Sequence, residues 1–134
     1  MTPLSKYNFD FQGRMVLVVE DNDISFKLYE AMLSQVNIKI IHASNGRQAI
    51  DSCRDIPGIC LVLMDIQLPE INGLEATRQI LSLNPELPVV ATTANAFDED
   101  ETACLEAGCI AYMRKPIPFR RLFELMQSVF EDQS

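Results

Sequence analysis

Histidine occurs once in this chain, at position 42, and basic residues are scarce: eleven Lys plus Arg stand against nineteen Asp plus Glu, a net charge of -8. That balance argues against nonspecific binding to nucleic acid, which is held through its phosphates by Lys and Arg. The lone His42 pairs with no cysteine in a recognisable motif and reads as a polar residue at a strand end. Cysteines are few as well. Cys53, Cys60, Cys104 and Cys109 show neither C-x-x-C spacing nor the density of a disulfide scaffold, so they read as reduced structural thiols. No apolar run approaches bilayer length, and the opening MTPLSKYNFDFQGR lacks the apolar centre of a secretory signal. The expectation is a cytoplasmic chain with no membrane insertion of its own and no direct nucleic-acid partner. Internal repeats and low-complexity tracts are missing too.

What is present is an ordinary globular composition, 48% hydrophobic and 22% charged, in 134 residues. One domain is the natural reading, able to bury about two-thirds of its unfolded surface. Residues 1–14 are mixed in polarity and read as an N-terminal arm or linker whose Phe9 and Phe11 are available to dock; residues 15–131 read as the domain and 132–134 as a tail. Five apolar stretches read as strands: Met15 to Val19, Ile38 to Ala43, Ile59 to Met64, Pro88 to Ala91 and Ile110 to Met113. The third has six apolar residues without interruption, as in a parallel strand covered on both faces.

Helical segments alternate with these strands. After the first, Asn22 or Asp23 can cap a helix in which Ile24, Leu28, Met32 and Val36 keep helical spacing, with Tyr29 and Leu33 widening the stripe. A short helix carries Ala49, Ile50 and Cys53, and a third turns Leu74, Thr77, Ile80 and Leu81 toward the core. Asp98, Glu99, Asp100 and Glu101 read as the solvated first turn of a fourth, where anions oppose the helix dipole. The last places Phe119, Leu122, Phe123, Met126, Val129 and Phe130 on one face and leaves Leu125 off it as an exposed site. Strand-helix alternation with right-handed crossovers predicts an α/β fold: a doubly wound five-stranded parallel sheet. The order 2-1-3-4-5 sets strands one and three side by side and opens a crevice at their carboxyl ends.

Each strand near that crevice ends in a reactive or charged group. Glu20 and Asp21 follow the first, Asp65 the third, Thr93 the fourth and Lys115 the fifth. Clustered carboxylates repel, so they take up protons or bind a cation. An oxygen-only set with room for water suits Mg²⁺. Asp65 is then a candidate phosphoacceptor, with Lys115 supplying a point charge and Thr93 a hydroxyl for phosphoryl oxygens. Pro116 directly after Lys115 opens the option of a cis peptide at that bond.

In these blocks, VLVVEDN, LVLMDIQLPEINGLEATR, VVATTANAF and YMRKPI, the chain resembles the receiver domain of two-component response regulators over nearly all of residues 15–131. The wording is most similar to receivers attached to hybrid sensor histidine kinases, so the chain reads as a stand-alone receiver or as part of such a kinase. The resemblance implies a flavodoxin-like fold with five helices and phosphorylation of Asp65 by a phosphohistidine on a histidine kinase or histidine phosphotransfer protein. It implies Mg²⁺ held directly by Asp21, Asp65 and the Gln67 backbone carbonyl, with Glu20 helping through water. Thr93 and Tyr112 are implied as switch residues that alter the face of the fourth helix, fifth strand and fifth helix, and Gln67 and Asn95 as sites tuning phosphoryl loss. Phosphorylation is expected to promote a homodimer near Tyr112 or to expose a docking surface there. No turnover is expected beyond the chain's own phosphorylation and dephosphorylation. Two other readings are a haloacid-dehalogenase type hydrolase and a pseudo-receiver scaffold. The first needs an Asp where Gln67 stands; the second sits poorly with the full set of Asp21, Asp65, Thr93 and Lys115.

Overall fold

The structure, a computed structural model, describes residues 8–94 and 98–133. Strands and helices alternate throughout: β1 (Arg14–Val19), α1 (Asp23–Ser34), β2 (Ile38–Ala43), α2 (Gly46–Asp55), β3 (Ile59–Asp65), α3 (Gly73–Leu83), β4 (Val89–Thr93), α4 (Asp98–Ala107), β5 (Ala111–Arg114) and α5 (Phe119–Asp132). The strands form one parallel sheet in the order β2-β1-β3-β4-β5, as the alternation predicts. This is the five-helix, flavodoxin-like arrangement.

Period-two alternation in the central strands divides the core. Val16, Val18, Leu61 and Leu63 point to the face covered by α1 and α5, where they meet Tyr29, Leu33, Phe123 and Met126. Their neighbours Leu17, Val19, Val62 and Met64 point the other way, onto Ala49 and Ile50 of α2, Ala76 and Ile80 of α3 and Cys104 of α4. Both faces of β1 and β3 are therefore dry, which is why residues 15–19 and 59–64 within them are apolar without a break. Each large side chain buried there contributes roughly 1.5–3 kcal/mol of transfer free energy. Phe9 and Phe11, ahead of β1, dock on this core: the Phe11 ring lies 5.5 Å from Phe130 and its N–H donates to the Val36 carbonyl at 2.8 Å.

Helix α1 differs from expectation. Of the stripe Ile24, Leu28, Met32 and Val36, Val36 is buried and Met32 half-buried, while Ile24 is 82% and Leu28 48% exposed. Tyr29 and Leu33 face the sheet instead. Two overlapping stripes share helical spacing, one residue apart, and the helix turns toward the one whose Tyr29 meets Phe119 of α5 edge-on at 6.0 Å. Periodicity alone does not choose between them. Leu125 is likewise not the exposed site expected; it is half-buried against the α1–α5 core. Strand five begins one residue late, and Ile110 before it is 45% exposed. Helix α4 begins at Asp98, as its acidic start suggests, although the side chains of Asp98 and Glu99 lie outside the described residues.

Asparagine starts three of the helices. The side chains of Asn22, Asn45 and Asn72 accept from the N–H groups of Ser25, Gln48 and Glu75 at 2.9, 2.8 and 3.0 Å. All three caps follow strands at the carboxyl edge of the sheet. They hold fixed the loops that carry the functional groups.

Candidate functional site

Asp65 is the last residue of β3 and only 4% exposed. Its placement follows from the strand: the buried run cannot continue past a carboxylate, and the chain turns at once. The turn is held on both sides, with the Gln67 N–H donating to Asp65 Oδ1 at 2.8 Å and the Ile66 N–H to the Thr92 carbonyl at 3.1 Å. Gly73, the first residue of α3, closes the loop back onto the strand end. A Cβ there would sit 2.3 Å from the Asp65 carbonyl oxygen and 2.5 Å from Ile66 Cα, so only glycine permits the approach.

Glu20 follows β1 and is 1% exposed. Lys115 reaches it from beyond β5, where the Lys115 N–H donates to the Thr93 carbonyl at 2.7 Å and ties the ends of β4 and β5 together. The Lys115 ammonium donates to Glu20 Oε1 at 2.5 Å and to Asp65 Oδ2 at 3.2 Å. One cation thus spans two buried anions. Asp21 is exposed and completes the acidic set; ligand oxygens of Glu20, Asp21 and Asp65 lie within 4.8 Å of one another. Thr93 is buried at the end of β4. The Lys115–Pro116 bond is cis, the option noted from the sequence.

Electrostatics follow from this packing. Burial pushes the Glu20 carboxyl above its usual range and the Asp65 charge adds to that rise, while the hydrogen bond from Lys115 pulls it back. For Lys115, burial works against the ammonium, but the bond to Glu20 and the charges of both carboxylates outweigh it and hold the proton more tightly than usual. Lys115 is the cation within reach of both carboxylates among the described residues, and it leaves three carboxylates against one ammonium. A hard divalent cation fits that residual negative charge. Every donor in the cluster is oxygen, and exposed Asp21 leaves an open side for water.

The remaining candidates lie around this cluster. The Gln67 side chain reaches across to β4, accepting from the Ala94 N–H at 3.3 Å. Tyr112 lies on β5 beside Ala91 and packs half-buried against the α2–α4 side of the core. Asn95 falls outside the described residues. Two features escaped the sequence reading. Gly73 was visible only as half of an Asn-Gly turn signal, not as the residue that admits α3 to the Asp65 carbonyl. His42 touches the Glu20 backbone, a contact between residues twenty-two apart that no local pattern announces.

Comparison with known proteins agrees with this geometry. The profile of the response regulator receiver domain matches residues 16–127. The polar-differentiation response regulator DivK of Brucella anthropi is 37% identical over 121 residues, covering 89% of this chain and 98% of that protein. Among solved structures, the receiver domain of the sensor histidine kinase PA1611 from Pseudomonas aeruginosa holds a magnesium ion in its active site cleft. It is 34% identical at a TM-score of 0.75, over 87% of this chain and 94% of that one. The receiver domain of Saccharomyces cerevisiae Ssk1, crystallised with the histidine phosphotransfer protein Ypd1, is 31% identical at a TM-score of 0.76, covering 84% of this chain and 85% of that one.

Proposed function

The chain belongs to the response regulator receiver domain family, and from that premise we propose that it takes a phosphoryl group from a phosphohistidine onto Asp65. One observation carries the reading: a single ammonium, Lys115, bridges the buried carboxylates of Glu20 and Asp65 at the carboxyl edge of a parallel sheet. That ammonium can pass from the carboxylates to a dianionic phosphoryl group once a divalent cation offsets the remaining negative charge. An Asp65 oxygen attacks phosphorus in line with the departing imidazole. The new O–P bond forms as the P–N bond breaks, and the nitrogen keeps the electron pair and takes up a proton. As the phosphoryl oxygens arrive, Lys115 meets one of them as a point charge and the Thr93 hydroxyl another.

Mg²⁺ would be held by Asp21, Asp65 and the Gln67 carbonyl, with Glu20 behind them. When bound it neutralises the carboxylates and the transferring group. Gln67, whose side chain spans from the β3–α3 loop to Ala94, and Asn95 would tune loss of the phosphoryl group by admitting or blocking water. Movement of Thr93 toward the phosphoryl group, with Tyr112 turning inward, would couple phosphorylation to the surface of α4, β5 and α5.

The partner is a histidine kinase or a histidine phosphotransfer protein, met in the cytoplasm. Any such donor has to reach Asp65 over the rim of the crevice, and α1 supplies that rim with exposed Ile24 and Leu28. Leu28 also lines an apolar groove with Ser25, Tyr29, Pro116 and Phe119, reaching Lys115 itself. Incubation with phosphoramidate and Mg²⁺ is expected to add one phosphoryl group by intact mass, and Asp65→Asn to add none. Asp21→Ala is expected to weaken Mg²⁺ binding at least tenfold. An adduct that persists in Asp65→Asn, or its absence from the natural sequence under any donor, would sink the assignment.

A further inference from the structure

The β1–β2 ladder does not stop where the strands do. The Glu20 N–H donates to the Ala43 carbonyl at 3.0 Å, one step beyond the last residue of β1. The Glu20 carbonyl would then look to the backbone of β2 for a donor, but β2 has ended at Ala43 and the chain is turning into the Asn45 cap of α2. Instead it accepts from His42 Nε2 at 2.9 Å. A carbonyl only accepts, so the imidazole donates and carries its proton on Nε2.

The ring is itself held flat. It stacks on Phe26 of α1, centroids 3.7 Å apart and planes 14° from parallel. Phe26 in turn donates its N–H to the Asn22 carbonyl at 2.9 Å, and the Asn22 N–H reaches Glu20 Oε2 at 3.2 Å. The residues from Glu20 to Asn22 are thus tied at one end to His42 and at the other to the first turn of α1. The position of Asp21, between them, follows from its two neighbours. His42 touches neither the Asp65 carboxylate nor Lys115.

We infer that His42, clamped against Phe26, is a positioning residue for the metal-binding loop: by holding the Glu20 carbonyl it fixes where Glu20 and Asp21 present their carboxylates. The inference rests on the proposed Mg²⁺ role of those carboxylates. Residues that orient metal ligands from behind typically matter by one to two powers of ten in affinity. Here the tether acts on the backbone of one acidic residue and the neighbour of another, so the lower end applies.

The experiment is Mg²⁺ titration by calorimetry of the natural sequence, His42→Ala and His42→Gln, each first shown to unfold cooperatively. Gln is chosen because its side-chain amide can offer an N–H near the Nε2 position. His42→Ala is expected to bind Mg²⁺ about tenfold more weakly, and His42→Gln to recover most of that loss. Unchanged affinity in folded His42→Ala overturns the inference, as does a His42→Gln as weak as the alanine variant, which would make ring bulk the cause. If the natural sequence binds no Mg²⁺, the metal reading itself has failed, and a metal-free measurement decides the tether. There, the Asn22 amide should exchange its hydrogen faster in His42→Ala than in the natural sequence or His42→Gln. As the chain has a single histidine, its imidazole ¹⁵N signals are unambiguous and should place the proton on Nε2. Equal exchange, or a proton on Nδ1, overturns the inference in that arm.

Discussion

At the scale of single residues, Lys115 decides whether the crevice is stable. Glu20 and Asp65 are both buried and face one ammonium, so removing it leaves two carboxylates opposed in a poorly solvated place. In metal-free buffer near pH 8, Lys115→Ala is expected to lose roughly 2–3 kcal/mol in urea denaturation, less than the full cost of an orphaned buried charge because the ammonium is partly solvated. The pH dependence has a definite sign. The Glu20 carboxyl already sits above its usual range in the folded protein, and without Lys115 it rises further. A group whose folded pKa lies above its unfolded value contributes stability that fades as pH rises through the folded pKa. The variant's deficit should therefore shrink as pH falls toward the ordinary carboxylate range and widen above it. A deficit that grows on acidification would mean that Glu20 is not the group left stranded.

At the scale of elements, the junction of β3 with α3 sets the Asp65 geometry. The helix begins on Gly73, and its backbone lies against the Asp65 carbonyl with no space for a methyl group. Thr77, one turn on, donates its hydroxyl to the Gly73 carbonyl at 2.7 Å and is buried, so the helix start cannot drift. Gly73→Ala is expected to cost about 2–3 kcal/mol, the scale of overpacking in a tight interior, and to lower the rate of phosphorylation by phosphoramidate along with stability. Gly58→Ala is the contrast. Its added Cβ meets nothing within 4 Å, and its positive φ of 94° alone carries a cost. It should leave the phosphorylation rate of the folded protein unchanged. Equal rate losses in both variants would separate the effect from the close approach at Asp65.

At the scale of the whole molecule, α1 is a boundary between the core and the outside. Its buried stripe holds the fold, while outward Leu28 lines the groove that reaches Lys115 and Ile24, one turn earlier, is exposed. Replacing both by polar residues, Ile24→Gln with Leu28→Gln, is expected to leave stability within about 0.5 kcal/mol. Phosphorylation by phosphoramidate, which needs no docking, should be unchanged. Transfer from a phosphorylated histidine phosphotransfer protein should slow at least tenfold, since a few apolar anchors carry most of the energy of such contacts. Equal effects on both donors would place these residues in the chemistry and not in docking.

Much of this was readable without coordinates, for reasons that are physical. A strand buried on both faces has to be apolar without interruption, so β1 and β3 announced themselves and Asp65 marked where β3 ended. Strand-helix alternation admits few topologies, and the order β2-β1-β3-β4-β5 followed with the crevice at its carboxyl edge. Glu20, Asp21, Asp65, Thr93 and Lys115 were each legible as a strand end. What tertiary packing decided is whatever depends on two elements meeting. Which of two overlapping stripes α1 turns inward was set by Phe119 of α5, far along the chain. That Glu20 lies sealed behind Lys115, that α3 presses on the Asp65 carbonyl at Gly73, and that His42 completes a ladder its own strand had left are contacts between distant residues. Local periodicity reports which face a residue takes within its own element; it holds no record of what the facing element will place there.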